Sequence, residues 1–217
     1  MTQKRLPLQL QPNFEGVALF MQRKEDPSFA AIRGKVLSRD EYSCRFCGFH
    51  SEKYQQIVAI DGNYKNNQIN NLATACVFCM HCQLLGLRNT NAKIIFLPEM
   101  SQIELNHFVR VLLCASTMRA DYADIAKALF QAFRKRSNVI EEVFGKDASD
   151  SLVFAQSLID INSETKKQQN KAMTALRLLP ARGYYNRQIE YWANSIITPK
   201  KIETAMQVYR EKFQGAH

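Results

Sequence analysis

Three features are missing from this 217-residue chain, and each absence limits what the protein can be. No run of 18 or more apolar residues occurs, so the sequence predicts no membrane-spanning helix. The N-terminal residues 1–11 lack the apolar core of a secretory signal. Internal repeats and long low-complexity stretches are also absent. We therefore expect a cytoplasmic protein, whose reducing surroundings keep cysteines as thiols.

Positive charge is in excess and is unevenly distributed along the chain. The formal net charge is +9, and residues 163–217 hold ten Lys or Arg against four Asp or Glu. Residues 101–162 hold seven against eight. A basic face attracts nucleic acid, anionic lipid or an acidic protein segment, and charge alone does not choose among them. A solvated face without a partner also remains open.

Four of the six cysteines form two Cys-x-x-Cys pairs with 28 residues between them. Side chains three positions apart across a tight turn bring two sulfurs to one point, and two such pairs complete the tetrahedral site that Zn²⁺ prefers. Four thiolates leave no open coordination position, which is typical of a structural site. We therefore predict one structural Zn²⁺, bound by Cys44, Cys47, Cys76 and Cys79.

The two other cysteines are not expected to bind this ion. Cys76, Cys79 and Cys82 are spaced three apart, so Cys82 could replace one of them if a helix follows directly. We favour Cys76 with Cys79 because that spacing mirrors the first pair, which leaves Cys82 as a half-buried thiol. Cys114 lies in a helical apolar pattern and is predicted to be a small core residue. Redox cysteines are the alternative, but no thioredoxin-like βαβ pattern surrounds them.

The remaining pattern predicts an α+β fold that is mostly helical. Residues 14–21 and 28–38 have helical apolar spacing, whereas 56–60 and 92–97 are typical of short strands. Residues 6–11 alternate apolar and polar side chains, which predicts a short edge strand. We expect three regions: an N-terminal strand and helices over 1–38, a zinc module over 39–97, and a helical region over 98–217 that forms one compact unit with the zinc module.

Several local signals define helices in the C-terminal half. Ser101 and Glu104 form a capping-box pattern at the start of an amphipathic stretch. Pro199 is suited to the first position of the last helix. The pattern also predicts helices over about 150–161 and over 164–179, the second ended by proline.

The predicted zinc module resembles the ββα-metal fold of HNH endonucleases. In the zinc-bound HNH pattern a strand histidine activates water, an asparagine orients the region, and a histidine directly after the last cysteine binds a catalytic cation. Asn71 matches the asparagine, but the strand at 57–61 contains no histidine and Met80 follows Cys79. His81 is one position late, and one residue rotates a helical side chain by about 100°. The resemblance implies an HNH-like zinc-ribbon module without catalytic residues.

A larger part of the chain carries a second resemblance, in residues 44–49, 58–64, 70–72 with 76–79, and 97–106. Together these segments are similar to the DotN (IcmJ) family of the Dot/Icm type IVB secretion system, and the similarity is clearest over residues 40–115. The resemblance implies a non-enzymatic cytoplasmic subunit that is peripherally associated with the inner membrane. It also implies that the subunit binds the C-terminal tail of the coupling ATPase DotL, beside DotM, IcmS, IcmW and LvgA, and helps to recruit effector proteins.

The sequence leaves the partner-binding surface open. Tyr184, Tyr185, Tyr191 and Trp192 could line a groove for a peptide with apolar anchors, or could fill the core. The alternative function is a nucleic-acid-binding protein or an HNH-type nuclease, which the basic charge and Asn71 favour. A redox protein is a third and weaker hypothesis.

Overall fold

The computed structural model describes residues 4–118, 122–159 and 173–214. Within them the fold is α+β and mostly helical, as predicted, with four short strands in two antiparallel pairs. The described residues form two compact units. We call residues 4–88 with 151–159 the four-cysteine unit, and the remainder, from 89 onward, the helical unit. No helix among the described residues is long and apolar enough to cross a membrane.

The four-cysteine unit begins with two capped helices. Helix α1 spans Phe14–Glu25, and the side chain of Asn13 accepts a hydrogen bond from an amide of its first turn. Helix α2 spans Pro27–Arg39, and Asp26 caps it in the same way. Proline at the first helical position removes an N–H that would have no partner in the helix. The predicted helices over 14–21 and 28–38 are therefore present and slightly longer.

Two strands and a helix follow in the order that the HNH resemblance implies. Strand β1 (Gln56–Ala59) pairs antiparallel with β2 (Leu72–Ala75). Helix α3 (Val77–Gln83) begins directly after β2, and all of its residues are buried. A hydrophobic cluster in this region packs α2 against the strand pair and includes Phe29, Val36, Leu37, Ile57 and Leu72.

Residues 6–11 do not form the edge strand that their alternating pattern predicts. The segment is extended, and its ladder is limited to an isolated parallel bridge between Pro12 and Leu85. The amide of Gln11 donates to the carbonyl of Cys82 at 2.8 Å, and the amide of Leu85 donates back to Gln11 at 2.9 Å. Proline has no N–H with which to continue the ladder. The segment therefore lies against the end of α3 as an extended strap.

The helical unit contains the second strand pair, which joins distant parts of the sequence. Strand β3 (Lys93–Phe96) pairs antiparallel with β4 (Leu176–Leu179). The helix predicted over 164–179 is wrong at β4, and its first part, to residue 172, lies outside the described residues. The side chain of Gln102 accepts from the amide of Leu178 at 2.8 Å and donates to its carbonyl at 2.9 Å. These bonds and β3 hold an apolar segment extended where local pattern favours a helix.

Helices supply the rest of the described structure. Helix α4 (Gln102–Ala115) begins with the predicted capping box, in which Ser101 and Glu104 bond to each other's backbone amides. The short helix that precedes Gly145 ends there, and the φ of 98° at this residue is favourable for glycine. The remaining helices are α5 (Ala123–Lys135), α6 (Asn138–Phe144), α7 (Ser151–Ile159, in the four-cysteine unit), α8 (Asn186–Ser195) and α9 (Pro199–Gln214).

An aromatic cluster packs α4, α5 and α9 together in the helical unit. The rings of Phe108 and Tyr209 stack with centroids 5.3 Å apart, and Tyr209 stacks on Phe213 at 4.8 Å. Phe133 meets these three rings edge-on at 5.8 to 6.0 Å. Such offset and edge-to-face geometries are the favourable ones for aromatic pairs.

Candidate metal centre

The structure brings the four predicted cysteine ligands to one point. The sulfur atoms of Cys44, Cys47, Cys76 and Cys79 all lie within 4.8 Å of one another, and all four residues are buried. The sulfurs of Cys47 and Cys76 are 3.7 Å apart. A tetrahedral ion with metal–sulfur bonds of about 2.3 Å places its sulfurs about 3.8 Å apart. The cluster therefore has the size and the donor set of a four-thiolate metal site.

The first cysteine pair lies on a reversed turn between α2 and β1. The amide of Cys44 donates to the carbonyl of Phe49 at 2.9 Å, and the amide of Gly48 donates to the carbonyl of Cys44 at 2.8 Å. Gly48 has a φ of 76°, a conformation that other residues adopt only with strain. These bonds turn the chain so that Cys47 and Cys44 project from the same turn.

The second pair lies at the start of a helix. Cys76 is the N-cap of α3 in an extended conformation, and its carbonyl accepts from the amide of Met80 at 2.8 Å. Cys79 is in the first turn of the same helix. The junction of β2 and α3 therefore fixes the spacing of this pair by regular backbone geometry.

A buried carboxylate that the sequence analysis did not single out joins the elements around the site. Asp40, 4% exposed, accepts from Arg39 at 2.9 and 3.0 Å and from Arg45 at 3.3 Å. It also accepts from the amide of Thr74, in β2, at 2.8 Å. Burial acts to raise the pKa of Asp40, but the hydrogen bonds from Arg39 and Thr74 outweigh it and lower the pKa. Asp40 thus ties the end of α2 to β2 and to the first cysteine pair.

The four thiols influence one another's protonation. Burial raises the pKa of Cys44, and hydrogen bonding to the other three thiols raises the pKa of Cys79. Burial also acts to raise the pKa of Cys76, but hydrogen bonds from Cys44 and Cys79 outweigh it and lower the pKa. Several buried thiolates repel one another, and a divalent cation removes that cost. The residues present therefore fit a bound cation.

Cys82 and Cys114 lie outside the four-sulfur cluster. Cys82 was expected to be half-buried and is fully buried. Cys114 lies in the core of the helical unit, as predicted, and its thiol donates to the carbonyl of Ile189 at 3.7 Å. Burial raises the pKa of Cys114 to about 12, so it remains a thiol at neutral pH.

The residues at the positions that correspond to the HNH catalytic residues are either buried or hydrogen-bonded within a loop. Asn71 donates to the carboxylate of Asp61 at 2.8 Å and accepts from the Asp61 amide at 3.1 Å, so it fixes the loop between β1 and β2. Ala59 and Met80 are buried and offer no proton-transfer group. His81 is fully buried, and burial lowers its pKa to about 3, so its imidazole is neutral at pH 7.

Of the four aromatic residues considered for a peptide groove, two are buried, Tyr191 is half-buried and one is exposed. Tyr185 and Trp192 are 1% exposed and belong to the core of the helical unit. Tyr184 is 40% exposed, and its ring meets that of Tyr185 edge-on at 5.0 Å. Sequence periodicity did not separate Tyr184 from Tyr185, because both lie in the short 3₁₀ turn Arg182–Tyr185, directly before α8.

Together the fold and the site define a class: a mostly helical α+β protein built around a buried cluster of four cysteines that has the size of a metal site. No protein-family model matches the chain. The chain is 38% identical over 199 residues to the type 4 apparatus protein DotN of Legionella pneumophila subsp. pneumophila, an alignment that covers 90% of this chain and 93% of that protein. It therefore belongs to the DotN family, as the sequence resemblance predicts.

Proposed function

We propose that this protein is a non-enzymatic structural and adaptor subunit of a Dot/Icm type IVB secretion coupling complex. It binds the C-terminal tail of the coupling ATPase DotL, beside DotM, IcmS, IcmW and LvgA, and helps to recruit effector proteins for export. In that role it is cytoplasmic and peripherally associated with the inner membrane. The observation that carries the proposal is the 38% identity, over nine-tenths of the chain, to a type 4 apparatus protein.

Zn²⁺ is the ion that we propose for the four-cysteine site. Thiolate ligands select Zn²⁺ over harder cations such as Mg²⁺ and Ca²⁺, and four of them leave no position for a substrate. The 3.7 Å separation of the Cys47 and Cys76 sulfurs supports tetrahedral coordination. Structural zinc in small modules contributes about 10–16 kcal/mol of folding free energy. The ion would thus stabilise the turn that carries Cys44 and Cys47.

The positions where an HNH nuclease carries its catalytic groups support a non-enzymatic role. Hydrolysis of a phosphodiester needs a general base and a metal ligand within reach of one phosphate. Ala59 and Met80 supply neither, and the imidazole of His81 is enclosed by protein. We therefore expect the purified protein to cleave neither DNA nor RNA in Mg²⁺ or Mn²⁺, as measured on supercoiled plasmid and labelled RNA. Cleavage that His81→Ala abolishes would contradict this proposal.

Binding to the ATPase tail is the direct test of the adaptor role. We expect the purified full chain to bind a labelled DotL C-terminal tail, as measured by fluorescence anisotropy. The affinity should decrease only slightly between 50 and 200 mM salt. Apolar anchors resist salt, whereas surface charges mainly change the rate and orientation of association.

Nucleic-acid binding is the alternative, and the net charge of +9 and the retained Asn71 support it. A protein that contacts six to ten phosphates loses roughly 10³–10⁵ in affinity over the same salt range. If the affinity for duplex DNA decreases steeply with salt and the chain does not bind the tail, the adaptor role is refuted and nucleic-acid binding is the favoured function.

A further inference from the structure

A cavity of about 200 Å³ lies between α1, α2 and the start of β1. None of the four clustered cysteines lines it. Three cationic side chains do, Arg23, Lys24 and Arg33, together with the rings of Phe20 and Phe29. A water molecule takes about 30 Å³ of liquid volume, so the cavity has room for a carboxylate and the short apolar arm that carries it.

Arg23 is the unusual member of this lining. It is only 7% exposed, and its guanidinium carbon lies 5.0 Å from the ring centre of Phe29 and 4.9 Å from that of Tyr64. One N–H reaches the carbonyl of Asn66 at 3.4 Å, but the buried Nε and Nη1 atoms have no hydrogen-bond partner. Within the described parts of the chain Arg23 forms no ion pair. A buried cation of this kind is costly unless an anion joins it.

The nearby carboxylates are engaged elsewhere. Asp26 lines the cavity, but its side chain accepts from the amide of Ser28 at 2.8 Å and caps α2. Asp61 accepts from Asn71 at 2.8 Å and from Asn66 at 3.2 Å. The cavity lining thus contains three cationic side chains and one carboxylate, Asp26, which already accepts a backbone hydrogen bond. The cavity is therefore electropositive.

The other two cations reinforce this field without satisfying Arg23. Lys24 lies over the ring of Phe20 at 5.5 Å, and Arg33 donates to the carbonyl of Gln55 at 3.1 Å. Both residues are exposed, so they can attract an approaching anion from solvent.

We propose that this cavity is a carboxylate-binding site that holds an acidic side chain of the apparatus segment bound by the protein, an inference that rests on the function proposed above. The planar guanidinium of Arg23 matches a carboxylate, and the rings of Phe29 and Tyr64 fix its plane before binding. The ring of Phe20 offers apolar cover to the methylene groups of an incoming Glu. The chemistry recognised is a carboxylate on a short apolar arm.

The first experiment uses a small probe and is independent of any partner. Phenylacetate is titrated into the ¹⁵N-labelled full chain, with phenylacetamide as its uncharged counterpart. We expect the amide signals of residues 20–26, 28–33 and 56–57 to shift with a Kd in the millimolar range, as is ordinary for so small a ligand. The unaltered chain should bind phenylacetamide at least about tenfold more weakly than phenylacetate. The Arg23→Gln variant should bind phenylacetate at least about tenfold more weakly than the unaltered chain does. In both cases charged hydrogen bonds are lost.

Two further variants keep this test decisive. Lys35→Gln removes a cation from an exposed position of α2 that does not line the cavity, and it should bind phenylacetate like the unaltered chain. If Arg23→Gln does not fold, Arg33→Gln replaces it and should weaken binding severalfold while Lys35→Gln does not. Equal binding of acid and amide, or equal effects of Arg33→Gln and Lys35→Gln, would overturn the site.

The second experiment separates this inference from the proposed function. The DotL tail is titrated into the unaltered chain, Arg23→Gln and Lys35→Gln, and Arg23→Gln should bind at least about tenfold more weakly than the other two. Equal binding by all three overturns the carboxylate site and leaves the adaptor role standing. No binding by any of them refutes the adaptor role and the apparatus segment as occupant, while the phenylacetate titration still decides whether the cavity takes carboxylates.

Discussion

Different interactions stabilise the interior of the four-cysteine unit and the interior of the helical unit. In the first, five apolar side chains pack α2 against a two-stranded sheet, and the cysteine turns lie beside them. In the second, rings from α4, α5 and α9 meet with centroids 4.8 to 6.0 Å apart. Backbone hydrogen bonds and the proposed ion stabilise the sharp turn that carries Cys44 and Cys47. Helices instead present continuous apolar faces that can pack directly.

The largest expected effect follows from removing one metal ligand. Cys47→Ser should abolish metal binding and remove most of the roughly 10–16 kcal/mol that the ion contributes, so the four-cysteine unit should lose its structure. Elemental analysis measures the ion, and hydrogen exchange measures the amides of β1, β2 and α3. The amides of α4 should stay better protected, because all four clustered cysteines lie in the four-cysteine unit.

Cys82→Ser is the matched control for that experiment, because Cys82 is buried in the same unit but lies outside the sulfur cluster. It should keep one ion per chain and cost about 1–3 kcal/mol for burying a hydroxyl. A Cys82 variant that loses the ion while Cys79→Ser retains it would show that the ligand set is wrong.

The helical unit should respond most to loss of a central ring. Phe133→Ala should lower the free energy of unfolding by about 3–5 kcal/mol, since this 3%-exposed ring contacts three others. Urea denaturation followed by far-UV circular dichroism measures the change. Phe144→Ala, at a ring that is 63% exposed, should change stability by no more than about 0.5 kcal/mol. Equal effects would mean that the aromatic cluster does not stabilise this unit.

A substitution at Asp40 tests whether the hydrogen bonds around the four cysteines stabilise the fold independently of the proposed ion. Asp40→Asn should cost about 2–3 kcal/mol while the zinc content stays unchanged, because Arg39 and Arg45 lose their charge partner. The cost lies below that of a fully buried pair because these arginine side chains are 30% and 19% exposed. Asp124→Asn, which breaks an exposed pair with Lys127, is the control and should have no measurable effect. An Asp40 variant as stable as the unaltered chain would contradict the tie between α2 and β2.

The smallest predicted effect concerns acid and the pair of Glu104 with Lys212. The hydrogen bond from Lys212 lowers the pKa of Glu104 to about 2, below the value of about 4.3 in an unfolded chain. The stabilisation is therefore present above about pH 4.3 and is lost as the pH falls toward 2. Because Glu104 is 48% exposed, solvent screening limits it to about 0.5–1 kcal/mol. Urea midpoints of Glu104→Gln and the unaltered chain should differ at pH 7 and converge near pH 2; a constant difference would exclude this linkage.

The clustering of the four cysteines could be predicted from the sequence because its information is local. Two Cys-x-x-Cys pairs fix the ligand type and spacing, and the structure places those sulfurs together. The capping box of Ser101 and Glu104 and the hydrogen bonds between Asn71 and Asp61 likewise join residues that are close in the sequence. Features of this kind depend on short-range geometry that a sequence pattern carries.

The parts that could not be predicted depend on partners distant in the chain. β4 has an apolar composition that suits a helix, and pairing with β3 and with the side chain of Gln102 keeps it extended. Asp40 joins Thr74, and no local pattern indicates that contact. The cavity at Arg23 is also invisible in the sequence, because its lining comes from two helices and a strand.

The pairing of β3 with β4 has a consequence for synthesis. A ribosome produces β3 about 80 residues before β4, so Ile94 and Ile95 must wait for their partner strand while the intervening helices emerge. Closing so long a loop costs little extra free energy but delays folding. A nascent or truncated chain that ends before residue 176 therefore presents an apolar strand with an open edge. We expect such fragments to aggregate or to be degraded rather than to persist as shorter folded proteins.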